Sequence, residues 1–471
     1  MTDMSTHLGM SRRQALKAGA AGVVATASLA GSACASTTNG LARSGGRSRP
    51  NIAKNVIFLA VDGMAQGTWT MADMASRSRG GGRSAWAELY ENGAPMTQCL
   101  THSANSQVTD SAAASCAWGT GVHIDNGSIN IHEGRELEPM LVTAKKAGKA
   151  TALVTTTTVT HATPAGFVAN VPNRRMEKEI GQQMLARGVD IVLGGGARYF
   201  DMNRLRQTPG LALATGTDSL RERAGNFRIG SERLMGLFTV GHMNYELDRP
   251  ASEPRLREMS MLAIERLAEA PEGFVLQIES GRVDHAGHGN DAPGNLFDQL
   301  EFDDTLRAVT EWAGRRDDTL VIITTDHGCA SPDLTLYLEG GNDGFDRLLG
   351  ARRTMSACVR SAGEGGSAAA RAERVAQEIR SGMSVELTAS QIAWLAGVYS
   401  GERADGFSAA NSESGALGAL LANHFGVGFV SGNHTSEMVH ATATGPGTER
   451  MKPLMDNIDL YGVAMNSMAI A

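Results

Sequence analysis

The sequence predicts an α/β fold: a central, mostly parallel β-sheet sandwiched by helices, with a cap- or crown-like segment inserted at about 335–427. Three observations predict it. Short, continuously apolar runs recur along the chain, amphipathic helical stretches separate them, and a Gly-, Ala-, Ser- and Arg-rich tract after them fits neither pattern. Strands that are apolar on both sides belong to sheets covered on both faces, and alternation with helices is the mark of parallel crossovers.

Taken in order, Ser11-Arg12-Arg13-Gln14-Ala15-Leu16-Lys17 reads as a twin-arginine export signal, followed by an apolar stretch from Ala18 to Ala30. Ala33-Cys34-Ala35 matches a small-x-small cleavage site, so residues 1–35 are expected to be a signal peptide that engages the twin-arginine export machinery. The expected destination is the periplasm or the medium. A lipoprotein anchor at Cys34 is disfavoured because Gly31 stands where such a signal wants a Leu-like residue. Residues 36–54 read as a polar linker and 55–471 as one folded domain.

Within that domain the apolar runs Val56–Val61, Thr151–Thr155, Asp190–Leu193, Phe274–Ile278 and Leu320–Thr324 are expected strands. Glu138–Ala147, Arg257–Ala268 and Leu296–Trp312 carry helical periodicity, the last with Leu296, Leu300, Leu306, Val309 and Trp312 on one side. Ala370–Ser381 and Thr388–Leu395 are helix candidates of the inserted segment, which is expected to pack on the sheet.

The formal net charge is −7, and removing the basic leader with Arg12, Arg13 and Lys17 makes it more negative. Excess acid argues against nucleic acid as a partner, so an anionic substrate must be caught by local positive charge. After the leader no apolar run reaches the roughly 18 residues of a spanning helix. Cys99, Cys116, Cys329 and Cys358 remain for an oxidising compartment, with their pairing open and no C-x-x-C spacing for a cysteine zinc site.

Chemistry concentrates at strand ends. Val56–Val61 ends at Asp62, Phe274–Ile278 at Glu279 and Leu320–Thr325 at Asp326-His327. Open α/β sheets bind ligands at the carboxyl ends of their strands, so three acidic ends in one chain point to a metal centre. Asp284 and His288 are four apart, which on a helix puts both on one face. His434 is isolated in sequence and joins the set only through the others. Upstream, Ser111 follows Asp110 and opens an Ala-rich stretch without the glycine elbow of a triad serine. A serine hydroxyl needs a base or a metal to attack at neutral pH, and this set supplies metal ligands.

Together Asp62-Gly63-Met64, Asp110-Ser111-Ala112, His161-Ala162-Thr163-Pro164-Ala165, Glu279 through His288, Thr325-Asp326-His327 and Asn433-His434-Thr435 resemble the alkaline phosphatases, in the family's order. The segment from Gly236 to Leu247 is similar too. The resemblance implies that Ser111 is the nucleophile that becomes phosphorylated. It implies that Asp62, Asp326 and His327 hold the zinc that activates Ser111, and that Asp284, His288 and His434 hold a second zinc at the leaving oxygen. Thr163, Glu279 and the shared Asp62 would hold magnesium, and Arg174 would clamp the phosphate. His161 stands where some members carry Asp near the magnesium, and His285 where some carry Lys near the phosphate. Because imidazole suits zinc better than magnesium, the third metal is left between the two. The remaining histidines, His102, His123, His132, His242, His424 and His440, show no ligand pairing in the sequence and are read as structural or surface residues.

The implied activity is hydrolysis of small phosphate monoesters, with a homodimer as the family's frequent state. Two alternatives remain: a phosphodiesterase of the same superfamily, and a non-catalytic phosphate- or metal-binding protein. A sulfatase would want a C/S-x-P-x-R setting, which Ser111-Ala112-Ala113-Ala114 does not offer.

Overall fold

The computed structural model describes residues 52–402 and 412–470. The export signal, the cleavage site, Cys34 and the linker up to residue 51 lie outside the described residues. Ala53 is buried and its N–H donates to the Ser467 carbonyl. Residues 53 and 54 therefore belong to the folded body and not to the linker.

Ten strands form the main sheet. In chain order they are Asn55–Val61 (β1), Thr97–Leu100 (β2), Ala150–Thr158 (β3), Ile191–Gly195 (β4), Leu211–Ala214 (β5), Arg233–Leu237 (β6), Phe274–Ser280 (β7), Thr319–Thr325 (β8), Val439–Thr444 (β9) and Leu454–Asp456 (β10). Their spatial order is β10-β2-β9-β8-β1-β7-β3-β4-β6-β5. Only β9 runs antiparallel to its neighbours, β8 and β2. The expected strands are the central ones. β1 and β8 are buried at every residue, which is why they read as unbroken apolar runs. Most strands that escaped the sequence reading are short and lie towards the edges, the exception being the six-residue β9 beside β8. β2 alternates buried and open positions and β10 is three residues long.

Two apolar clusters cover the two faces. One gathers Phe58, Trp118, Phe167 and Ile322, the other Ile57, Leu59, Phe274, Phe302 and Ile323. Trimming a side chain such as Phe302 to Ala would cost about 3–5 kcal/mol, because the emptied space cannot collapse.

The longest helix, Ala292–Ala313, begins on Asp291, whose carboxylate caps it by accepting from the Gly294 N–H. Its expected apolar side is divided. Leu306, Val309 and Trp312 pack with the sheet cluster, whereas Leu296 and Leu300 pack with a third cluster formed by the helices between Leu338 and Phe425. That third cluster, with Val375, Ile379, Leu395, Leu417 and Phe425, rests on Met71, Ala72 and Ala75 of the Gln66–Ser78 helix. The tract at 335–427 thus packs on helices, not directly on the sheet as expected. Its two ends meet where Asp333–Leu334 pairs antiparallel with Val427–Gly428. Asp291 also accepts from the N–H groups of Met355 and Ser356, at 3.0 and 2.8 Å, so one carboxylate caps the long helix and tethers the tract.

Candidate active site

The site grows from three adjacent strands. β1 lies between β7 and β8, with Ala60 opposite Glu279 and Val61 opposite Thr325. Asp62 and Asp326 therefore leave neighbouring strands side by side, while Glu279 sits inside β7, which runs two residues further than the sequence suggested. Gly63 makes the turn possible. Its φ is +75°, and a Cβ there would lie 2.6 Å from Asp284. Free of that side chain, the turn donates the Gly63 N–H to Asp326 Oδ1 at 2.9 Å.

Ser111 is the first residue of the Ser111–Thr120 helix, with Asp110 as N-cap accepting from the Ala113 N–H. Small residues fill the helix because it is buried along nearly its whole length. The Ser111 hydroxyl is itself buried, 3.3 Å from His327 Nε2 and 3.4 Å from Asp62 Oδ1.

The Arg282–His288 helix follows β7 and brings Asp284 and His288 onto one face, as their spacing predicted. His288 Nε2 is 3.4 Å from Asp284 Oδ2, and His434 Nε2 is 3.5 Å from Asp284 Oδ1. His288 Nδ1 pairs with the Gly432 carbonyl and His434 Nδ1 with the Thr109 carbonyl. Both rings therefore turn Nδ1 to the backbone and bring their Nε2 atoms within 3.0 Å of each other beside the Asp284 carboxylate, an arrangement that suits a shared cation.

The same holds for the carboxylates. Asp62, Glu279, Asp284 and Asp326 are all buried, and Asp62 Oδ2, Glu279 Oε1, Asp284 Oδ1, Asp326 Oδ2 and Thr163 Oγ1 have no hydrogen-bond partner. Burying four carboxylates together is untenable unless positive charge joins them. Without it, burial pushes the Asp62 carboxyl well above its ordinary range and Glu279 up to about 7. Within this cluster three groups have ligand atoms close enough to share an ion: Asp62 with Asp326 and His327, Asp62 with His161 and Glu279, and Asp284 with His288, His434 and Cys329.

Cys329 was not expected there. It is the cross-strand partner of His434 in a two-residue antiparallel pair, a proximity that C-x-x-C spacing could not reveal. The described cysteines are free thiols, all buried. Two threonines were missed as well, Thr155 and Thr157, whose hydroxyls both donate to Glu279 Oε2.

Arg174 reaches the site and Arg175 does not. Arg174 Nη1 donates to Asp110 Oδ2 at 3.0 Å and Nη2 lies 3.2 Å from His161 Nε2, whereas Arg175 is exposed. His161 and His285 stand 5.5 Å apart by ring centroid, and His242 completes a trio at 5.4 and 4.5 Å from them. Burial, with Arg174 beside His161 and Arg282 beside His285, holds both rings well below the ordinary imidazole range, and burial takes His242 to about 4. His242 was read as structural, although it falls inside the family-like Gly236–Leu247 segment.

Residues 53–470 match the alkaline phosphatase family model. Alkaline phosphatase 4 of Bacillus subtilis is 28% identical over 422 residues, 86% of this chain and 87% of that one. The Escherichia coli alkaline phosphatase is 31% identical over 341 residues, 59% of this chain and 71% of its own length. The crystal structure of the Thermus thermophilus alkaline phosphatase superposes with a TM-score of 0.82 at 30% identity, covering 90% of this chain and 93% of that one. With a buried carboxylate and imidazole cluster able to hold metal ions at the carboxyl ends of its parallel sheet, the chain belongs to the alkaline phosphatase family.

Proposed function

We propose that the protein is an exported alkaline phosphatase that hydrolyses small phosphate monoesters through a phosphoserine at Ser111, using two zinc ions and one magnesium. The observation that carries this reading is the Ser111 hydroxyl, which heads a helix while lying 3.3 Å from His327 Nε2 and 3.4 Å from Asp62 Oδ1. The unpartnered oxygens and the facing Nε2 atoms fit metal ions. Asp62, Asp326 and His327 would hold one zinc, Asp284, His288 and His434 the other, and Asp62, Glu279 and Thr163 the magnesium. When bound, these ions offset the carboxylate charge, acidify the serine hydroxyl and neutralise the attacking and leaving oxygens.

The chain's own groups do the rest. Ser111 Oγ gives up its proton and bonds to phosphorus as the bond from phosphorus to the ester oxygen breaks, and the alcohol leaves with a proton. Water then attacks phosphorus, the bond to Oγ breaks, Oγ regains a proton and inorganic phosphate departs. Arg174, shared in the resting chain between Asp110 and His161, would turn its fork to two phosphate oxygens, matching their planar charge. The helix that begins at Ser111 adds the positive end of its dipole. His161, His242 and His285, held neutral by burial, line the site without repelling a cation. The test is p-nitrophenol release from the phosphate monoester and from the matching diester, with chelator and then with zinc and magnesium restored. Metal-restorable monoester turnover supports the proposal. Dominant diester turnover would move the activity to phosphodiesterase, and bound zinc without either turnover would make the protein a binder.

A further inference from the structure

A second convergence of imidazole and carboxylate lies on the same edge of the sheet, away from Ser111. β2 and β10 pair in parallel, with Leu100 opposite Asp456. His102 follows β2, Asp456 ends β10, and His123 follows Gly121, the left-handed glycine that closes the Ser111–Thr120 helix. β2 runs parallel to β8 across the intervening β9, so these residues share the carboxyl edge with Asp62 and Asp326. Three strand spacings separate β2 from β1, roughly 15 Å.

His123 Nε2 lies 2.9 Å from Asp456 Oδ1, and His102 Nε2 lies 3.3 Å from Asp456 Oδ2. Two observations say that side-chain pairing alone does not account for this. His123 Nε2 and Asp456 Oδ1 are buried atoms without a hydrogen bond despite their separation, because the ring N–H does not point at the oxygen. His102 Nδ1 pairs with the Ser103 carbonyl at 3.2 Å, which puts its proton there and turns the Nε2 lone pair toward a carboxylate. The two rings also stack at 4.2 Å, which holds both beside the one carboxylate. Donors each about 2.0–2.1 Å from a common ion sit about 2.9 Å apart at a right angle and about 3.4 Å apart at a tetrahedral one. The two separations, one to each Asp456 oxygen, are of that order, and one ligand atom from each of the three side chains lies within 4.8 Å of the others.

We propose that His102, His123 and Asp456 form a structural zinc site distinct from the catalytic cluster. Two imidazoles and one carboxylate are a zinc set, with water completing the coordination. The ion ties together the segment leading to Ser111, the far end of the Ser111–Thr120 helix and the C-terminal β10. Crystals grown from native protein loaded with zinc and dialysed should show an anomalous peak at the zinc edge between the three side chains. Peaks at the catalytic cluster with none here would overturn the proposal. In solution, His102→Ala and Asp456→Asn should each bind one zinc fewer per chain and lose part of the zinc-dependent rise in Tm. Both should keep monoester turnover within about twofold, since the sites share no ligand. Equal zinc content in native protein and both variants would mean a plain side-chain ion pair and would also overturn it. If neither variant folds, the anomalous measurement on native protein decides.

Discussion

The two clusters on the sheet's carboxyl edge use the same side chains at different depths. Around Ser111 four carboxylates are buried; Asp62, Glu279 and Asp326 stand at the ends of central strands, and Asp284 and His288 lie on the helix that follows one of them. Around Asp456 one half-buried carboxylate meets one histidine from the loop after β2 and another from the end of the Ser111–Thr120 helix. Depth sets what each can do. Concentrated buried charge demands several cations and can place them against a nucleophile, whereas a single shallow carboxylate can hold one ion and tie loops together. The Ser111–Thr120 helix joins them, with the serine at its first turn and His123 just past its last.

The largest effect expected is that of Ser111→Ala. If the deep cluster is the reactive one, turnover should fall by about 1,000-fold or more and trapped phosphoserine should vanish, with metal content unchanged. Phosphoserine persisting in the variant would remove Ser111 from the mechanism. Arg174→Ala should lower kcat/KM by about 10–100-fold, the worth of a charge-assisted fork, and make inorganic phosphate a weaker inhibitor. An unchanged phosphate inhibition constant would leave Arg174 with the structural role its bond to Asp110 already gives it.

His161→Asp sharpens the question of the third metal. A further carboxylate beside Asp62 and Glu279 should favour magnesium over zinc, so added magnesium should stimulate the variant several-fold more than the native enzyme. Because Arg174 already touches His161, an aspartate there should also hold the guanidinium back and raise KM. Identical magnesium responses would place His161 outside the metal's reach.

Much of the deep cluster was legible in the sequence, for a physical reason. Central strands buried on both faces must be apolar throughout, so an acid at the end of such a run stands out, as Asp62 and Asp326 do. Asp284 and His288 were legible because helical spacing fixes their common face. Arg174 rested on its distance from His161 in the resemblance, and Arg175 could be set aside only once the chain was folded. The shallow cluster was illegible. β2 and β10 are too short and too open to leave a periodic signal; their pairing brings His102 to Asp456, and the end of the Ser111–Thr120 helix brings His123. Cys329 was missed for the same reason, since its neighbour His434 lies across a strand pair. The third helical cluster was anticipated as a distinct tract but laid on the wrong surface, because composition does not say which helix covers which.

The smallest effect is a slope, and it separates the clusters by their demand for cations. In metal-free protein burial holds the Glu279 carboxyl up at about 7 against an ordinary 4.5, so the fold favours its neutral form. That stabilisation is full below the unfolded value and is lost as pH rises through about 7. Burial opposes charge on His434, but Asp284 outweighs it and holds the imidazole at about 9 against 6.5. Its contribution is full below 6.5 and is lost as pH rises through about 9. Asp284 and Asp326 are held below their ordinary range despite burial, by the histidines beside them, so their contribution is constant across this window. Both moving terms have the same sign, whereas His161, His242 and His285, held below the ordinary imidazole range, oppose them below pH 6.5. The Tm of chelated protein should therefore fall by a few degrees between about pH 6.5 and 9, and that of metal-loaded protein should fall less, because bound cations replace the protons at Glu279 and His434. His102→Ala should leave the slope of the chelated protein untouched, since the shallow cluster holds one carboxylate and no crowd of buried charge. Parallel slopes with and without metal would mean that the buried carboxylates are neutralised within the protein itself, and the contrast in depth would lose its chemical meaning.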